Sequence, residues 1–137
     1  MIELVMVILV VGVLAAVAIP RLSSQGFDEQ RLYDQTLAAL RYAQRTAVAY
    51  QRTVCATFTG GTQLSLTYAS AYGSATCDTS LAPPGGTTAS YIVTAQGAAT
   101  VSAASFTFDP LGRPSTGQTI TAGGRNIVVE GETGYVH

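Results

Sequence analysis

Lysine and tryptophan are missing from this chain of 137 residues, and its one histidine, His137, is the last residue. Seven arginines stand against eight carboxylates, for a net charge of −1. So balanced a chain has no summed field to hold a phosphate backbone by counterion release, which argues against nucleic acid as a partner. Catalysis is equally short of parts. A terminal histidine and the lack of a glycine-rich phosphate loop after a strand leave no nucleophile paired with a base, so no catalytic residue and no cofactor is expected. Asp109, Glu130 and Glu132 are the nearest approach to a metal-binding group, but their spacing fits no calcium loop and acids beside turns are usually solvated, so no metal is expected either.

Charge is scarce as well, at 11% of residues, and aromatic residues make up only 8%. From Thr53 onward Gly, Ser, Thr and Ala dominate, a composition that suits short strands joined by tight turns in a β-rich head. The two cysteines, Cys55 and Cys77, both fall in this head. In an oxidising compartment they would close one loop and constrain the unfolded chain by about 3 kcal/mol. The alternative is two separate buried thiols, which sequence spacing does not distinguish.

What the chain has in abundance is a single apolar run. Leu4 to Ile19 reads LVMVILVVGVLAAVAI, and as a helix Ile2 to Ile19 would extend about 27 Å, enough to cross a bilayer with little tilt. Its apolarity is all-round, unlike that of a soluble amphipathic helix, and Ala18-Ile19-Pro20-Arg21 does not resemble the small-residue end of a cleaved signal peptide. Glu3 is the anomaly. Held at membrane depth, a carboxylate costs about 2.5–3.5 kcal/mol. The positive end of its own helix and the terminal ammonium of a neighbouring chain would offset that cost; alternatively Glu3 sits solvated at headgroup level. Pro20 removes a backbone hydrogen bond and clashes with the preceding turn, so it either kinks the helix or ends it.

Met1-Ile2-Glu3-Leu4-Val5-Met6-Val7-Ile8, followed by Gly12-Val13-Leu14-Ala15-Ala16-Val17-Ala18-Ile19-Pro20, resembles the N-terminal segment of type IV pilins and type II secretion pseudopilins. The resemblance implies a single pass in the bacterial inner membrane with the head in the periplasm, followed by packing against other pilins or pseudopilins in a filament. It implies that Glu3 pairs with the methylated N-terminal amine of an adjacent subunit and that Pro20 bends the helix at the membrane boundary. It also implies a prepilin peptidase acting on a full-length precursor. Precursors of that family carry a short basic leader ending in Gly, then typically Phe-Thr-Leu-Ile-Glu, and Met1 stands here where the Leu would be. The expectation is that Met1 is a misassigned start and that a leader is encoded just upstream. Arg21, read alone by the positive-inside rule, would put the head in the cytoplasm; the cysteine pair and the resemblance favour the opposite side.

Ser23-Ser24-Gln25-Gly26 is a weak point for helix, and Gly26 joins Pro20 as an expected kink position. A second helical segment is predicted from about Asp28 to Gln51, with Tyr33, Leu37, Leu40, Ala43, Ala47 and Val48 forming one apolar stripe. Arg31, Gln35, Arg41, Arg45 and Arg52 fall largely on the other side and read as a solvated face rather than a basic patch. The predicted organisation is therefore an assembly helix over 1–20, a stalk helix over 21–52, and an antiparallel β head over 53–137.

In the head, Thr53–Phe58 and Gln63–Tyr68 flank Gly60-Gly61 as a predicted hairpin. Residues Ala69 to Thr88, with Pro83-Pro84 and Gly85-Gly86, read as an irregular loop. Further strands are predicted at Ser90–Thr94, Ser105–Asp109, Gln118–Thr121 and Arg125–Glu130, with Gly134-Tyr135-Val136 closing the chain. This order, with Phe106-Thr107-Phe108-Asp109-Pro110-Leu111-Gly112-Arg113 between loop and terminal hairpin, is similar to minor pseudopilin H and FimT-like minor pilins. It also resembles a minor pilin of the mannose-sensitive haemagglutinin pilus. The motif has a structural reading too, since Pro110 fixes φ and Gly112 permits a left-handed turn. The expected fold is α+β, a long N-terminal helix packed on an antiparallel sheet. The expected function is a minor structural subunit, the alternative being an anchored or pilus-tip adhesin whose loop from Ala69 to Thr88 makes the contact. DNA binding of the FimT-like kind is disfavoured, because after Thr53 only Arg113 and Arg125 oppose four acids.

Overall fold

The computed structural model describes residues 1–18, 25–86 and 90–137. Pro20, expected to kink the helix, lies outside the described residues. The first helix, α1, runs Ile2–Ala18. At 1.5 Å per residue its 17 residues extend about 26 Å. No helix among the described residues is long and apolar enough to cross a membrane; Ile19, the last residue of the expected span, lies outside the described residues.

The second helix, α2, runs Gln25–Tyr50. It begins earlier than the predicted Asp28, so Gly26 lies in its first turn with open space around it. Its C-terminus closes with Gln51 at φ 51°. There the Gln51 amide donates to the Val48 carbonyl and the Arg52 amide to the Ala47 carbonyl. This left-handed cap is the one that glycine usually supplies. The buried face of α2 consists of Leu32, Thr36, Ala39, Leu40, Ala43, Thr46 and Ala47. Leu40, Ala43 and Ala47 are where the predicted stripe put them, but Tyr33 and Leu37 are only half-buried and Val48 is 48% exposed. The helix has rotated toward its smallest side chains. Alanines and threonines let its backbone settle close to the sheets, while the bulkier Tyr33, Leu37 and Tyr42 pack around the edge of the core.

Two antiparallel sheets receive that face. In the first, β1 (Val54–Thr59) and β2 (Gln63–Tyr68) form the predicted hairpin, with Ala56 opposite Leu66. Gly60 and Gly61 turn it at φ 61° and 70°. The far edge of β2 is shared by two short strands. The first, β3 (Thr79–Ser80), pairs with Thr67 and Tyr68, and β4 (Tyr91–Thr94) pairs with Gln63 to Leu66. The second sheet opens with β5 (Val101–Ser102). Then β6 (Phe106–Phe108) returns to the first sheet and pairs with β1. The strands β7 (Gln118–Ala122) and β8 (Arg125–Val129) complete the order β5-β7-β8. Gly123 and Gly124, at φ 55° and 74°, make the two-residue turn between them, as a tight hairpin requires. The chain ends with Val136 bridged to Val129.

The two-residue strands β3 and β5 were not predicted. Strand alternation needs several residues to show, and these two exist only because longer neighbours pair with them. Leu32 and Leu40 of α2 meet Leu64 and Leu66 of β2, Phe106 and Phe108 of β6, and Ile120 and Ile127 of the second sheet in one core.

A bare apolar helix on a fastened head

From Met1 to Val17 every side chain of the first segment is exposed. Even the most shielded of its large apolar residues, Val17, keeps 53% of its surface open. In water this would be a continuous apolar cylinder, so α1 presents a surface that lipid tails or other helices must cover. Glu3, in the first turn, is the one charged side chain on it, and among the described residues no ion pair reaches it. A carboxylate in apolar surroundings is costly unless a cation pairs with it.

In contrast, α2 is fastened to the head from Glu29 to Val48. Near its start, Gly123 of the β7–β8 turn lies against the Glu29 backbone so closely that a Cβ there would collide with it. Beside that contact the Arg125 Nη1 donates to Gln30 Oε1 at 2.7 Å, and its guanidinium lies 4.2 Å from the centre of the Tyr33 ring. At mid-length the Tyr42 hydroxyl donates to the Ala82 carbonyl at 3.0 Å and its ring stacks on Tyr91 at 5.6 Å. Partial burial, with Tyr42 alongside, raises the Tyr91 hydroxyl above its ordinary pKa.

Near the C-terminal end of α2 the Gln44 amide donates to the carbonyls of Gly112 (3.3 Å) and Thr133 (3.2 Å). Arg41 Nε donates to the Val136 carbonyl at 3.1 Å. The Asp109–Arg113 turn is built for this contact. Asp109 Oδ1 accepts from the amides of Leu111 (2.9 Å) and Arg113 (2.8 Å). Gly112 sits at φ 80°, where a Cβ would come within 2.9 Å of Val48 Cγ2. The Phe-Asp-Pro-Leu-Gly-Arg motif therefore acts as a clasp on the helix. Gln44 was not singled out in the sequence, and a lone glutamine on a half-polar face offers no signal that would have found it.

Cys55 of β1 and Cys77 are disulfide-bonded, with their Cα atoms 6.1 Å apart. The same loop is held at a second point. Asp78 accepts from the Ser70 hydroxyl and, at 2.8 Å, from the Ser70 amide, bonds that hold its carboxyl below the usual carboxylate range. Tyr72, at the tip of this loop, is 78% exposed. The acids considered as metal ligands are not brought together for that purpose. Asp109 serves its own turn, Glu130 meets His137 Nε2 at 3.0 Å, and among the described residues no group of His, Cys, Asp and Glu side chains is placed to hold a metal ion.

The family model for type II transport protein GspH matches residues 33–134. The chain belongs to this family. The GspH match opens inside α2 and runs to Gly134, taking in the disulfide, Gln44 and the Asp109–Arg113 clasp. GspH is a family of structural pseudopilins rather than enzymes, which places the chain with components of the type II secretion pseudopilus. Glu3 and the rest of α1 precede the matched residues. No curated protein and no solved structure matches the chain.

Proposed function

We propose that this chain is a minor subunit of a type II secretion pseudopilus or a related type IV pilus, incorporated through α1. The observation that carries this reading is the joining of a GspH head to a helix exposed on every side and charged only at Glu3. Before assembly the helix anchors the subunit in the inner membrane with its head in the periplasm, a compartment where the Cys55–Cys77 bond persists. The described part of α1 alone extends about 26 Å, against a hydrocarbon core of about 30 Å, and bilayers absorb a difference of a few Å at a fraction of a kcal/mol per Å. Prepilin peptidase trims a full-length precursor, and the methylated amine of a neighbouring subunit pairs with Glu3. Pro20 and Gly26 supply the bend or local melting needed when the helix packs among others.

The test is Glu3→Ala. Membrane association should be unchanged, while incorporation into sheared filaments should drop about a hundredfold or more, because the neighbour's buried ammonium loses its partner. Incorporation at the wild-type level would contradict the proposed role. A second reading, a tip-located binding module, draws on Tyr72 standing exposed on a loop tied at both ends. Binding of the purified chain to cells or to other pilins, lost on Tyr72→Ala, would favour it.

A further inference from the structure

Most sheet edges in the head are short or covered. Phe108 of β6 is bridged by Pro114 and Val129 of β8 by Val136, while β3 and β5 are two residues each. The exception is β4. Its Tyr91 amide donates to the Leu81 carbonyl and the Ala95 amide to the Thr62 carbonyl, and Val93 faces Leu64 between them. Alternate residues of a strand point the same way, so the N–H and C=O groups of Ile92 and Thr94 point away from β2. Among the described residues β4 pairs with β2 alone.

Sheet edges are normally blunted by charge, proline or a bulge. The stretch Ser90-Tyr91-Ile92-Val93-Thr94-Ala95-Gln96 has no charged residue and no proline. Ile92 is 48% exposed, and a cavity of about 310 Å³ lies beside the strand, bounded by Gln35 and Pro83. A second hollow is lined by Ala38, Arg41, Tyr42, Arg45 and Pro84, and its Tyr42 stacks on Tyr91. Neither arginine has a carboxylate within ion-pair distance among the described residues. An open strand edge therefore lies beside two cations without a carboxylate partner, of which Arg41 also donates from Nε to the Val136 carbonyl.

We propose that the β4 edge receives an extended segment of another protein as an added antiparallel strand. This segment is uncharged where it pairs with Ile92 and Thr94 and acidic where it runs on, past Tyr91, to Arg41 and Arg45. Main-chain hydrogen bonds give such strand addition its affinity, and the charged end gives it direction and register. A second copy of this chain is a poor occupant, because residues 79–108 around β4 contain no acid and would leave the arginines unpaired. The β4 edge belongs to the head, and its occupancy does not depend on how α1 is used.

The probe is the peptide acetyl-Thr-Val-Thr-Val-Asp-Glu-amide, added to the full chain in detergent. Amide hydrogen exchange at Ile92 and Thr94 should slow on binding. Arg45→Glu should weaken binding about tenfold, and a peptide ending in Lys-Lys should recover it. Ile92→Pro, which removes an outward amide, should abolish the protection while leaving the thermal midpoint unchanged. Three results would overturn the proposal: exchange at both amides unaffected at about millimolar peptide, equal affinity for both peptides, or protection that rises with chain concentration alone and so reports self-pairing.

Discussion

The two helices of this chain follow opposite rules. Every described side chain of α1 up to Val17 is exposed and nearly all are apolar. In α2 acids, arginines and glutamines are interleaved with a narrow seam that is wholly buried. A helix apolar on all sides has its partner outside the chain; one apolar along a seam has found its partner within. The difference separates the chain into a part whose stability is complete, the head with α2, and a part that is finished only by an assembly or a bilayer.

The same substitution placed in each helix breaks the comparison most sharply. Leu40→Arg buries a charge in the core and should cost the head more than about 4 kcal/mol, removing its cooperative melt. Val10→Arg should leave that melt unchanged and instead weaken retention of the chain in membranes by about 2.5–3.5 kcal/mol. Loss of the melt in Val10→Arg would mean that α1 is part of the head after all.

A smaller effect is expected at the disulfide, which closes a loop within the head. The double variant Cys55→Ser, Cys77→Ser should lower unfolding free energy by about 3 kcal/mol for the loop it opens, measured by denaturant titration, with membrane retention unaltered. Smallest is Thr36→Val. Thr36 is fully buried in the seam of α2 and its hydroxyl has no hydrogen-bond partner. Replacing it with a methyl should raise stability by about 1 kcal/mol; a loss of similar size would show that the hydroxyl is satisfied in solution.

Much of this division was legible beforehand, for reasons that differ by element. The β1–β2 and β7–β8 hairpins announced themselves through alternation around paired glycines. The apolar envelope of α1 and the oddity of Glu3 needed only composition. Leu40, Ala43 and Ala47 of the predicted α2 seam are buried as expected, but Leu37 and Val48 were drawn into it because they outrank alanine and threonine by hydrophobicity, whereas close packing against a sheet favours the small side chains Thr36, Ala39 and Thr46. Gln44, Arg125 and Gly123 act across long separations in sequence, and no local pattern marks a residue for a partner it meets only after folding. The free edge of β4 was hidden for a related reason. The strand itself was predicted, but whether a strand is central or at an edge is settled by topology.

The claim that α1 is completed by other subunits is tested most directly by placing a photo-crosslinking amino acid at Val10 and irradiating cells that express the secretion machinery. Covalent adducts with other pseudopilin subunits are expected, diminished when Glu3 is replaced by Ala. Efficient labelling of lipid alone, identical with and without Glu3, would contradict it.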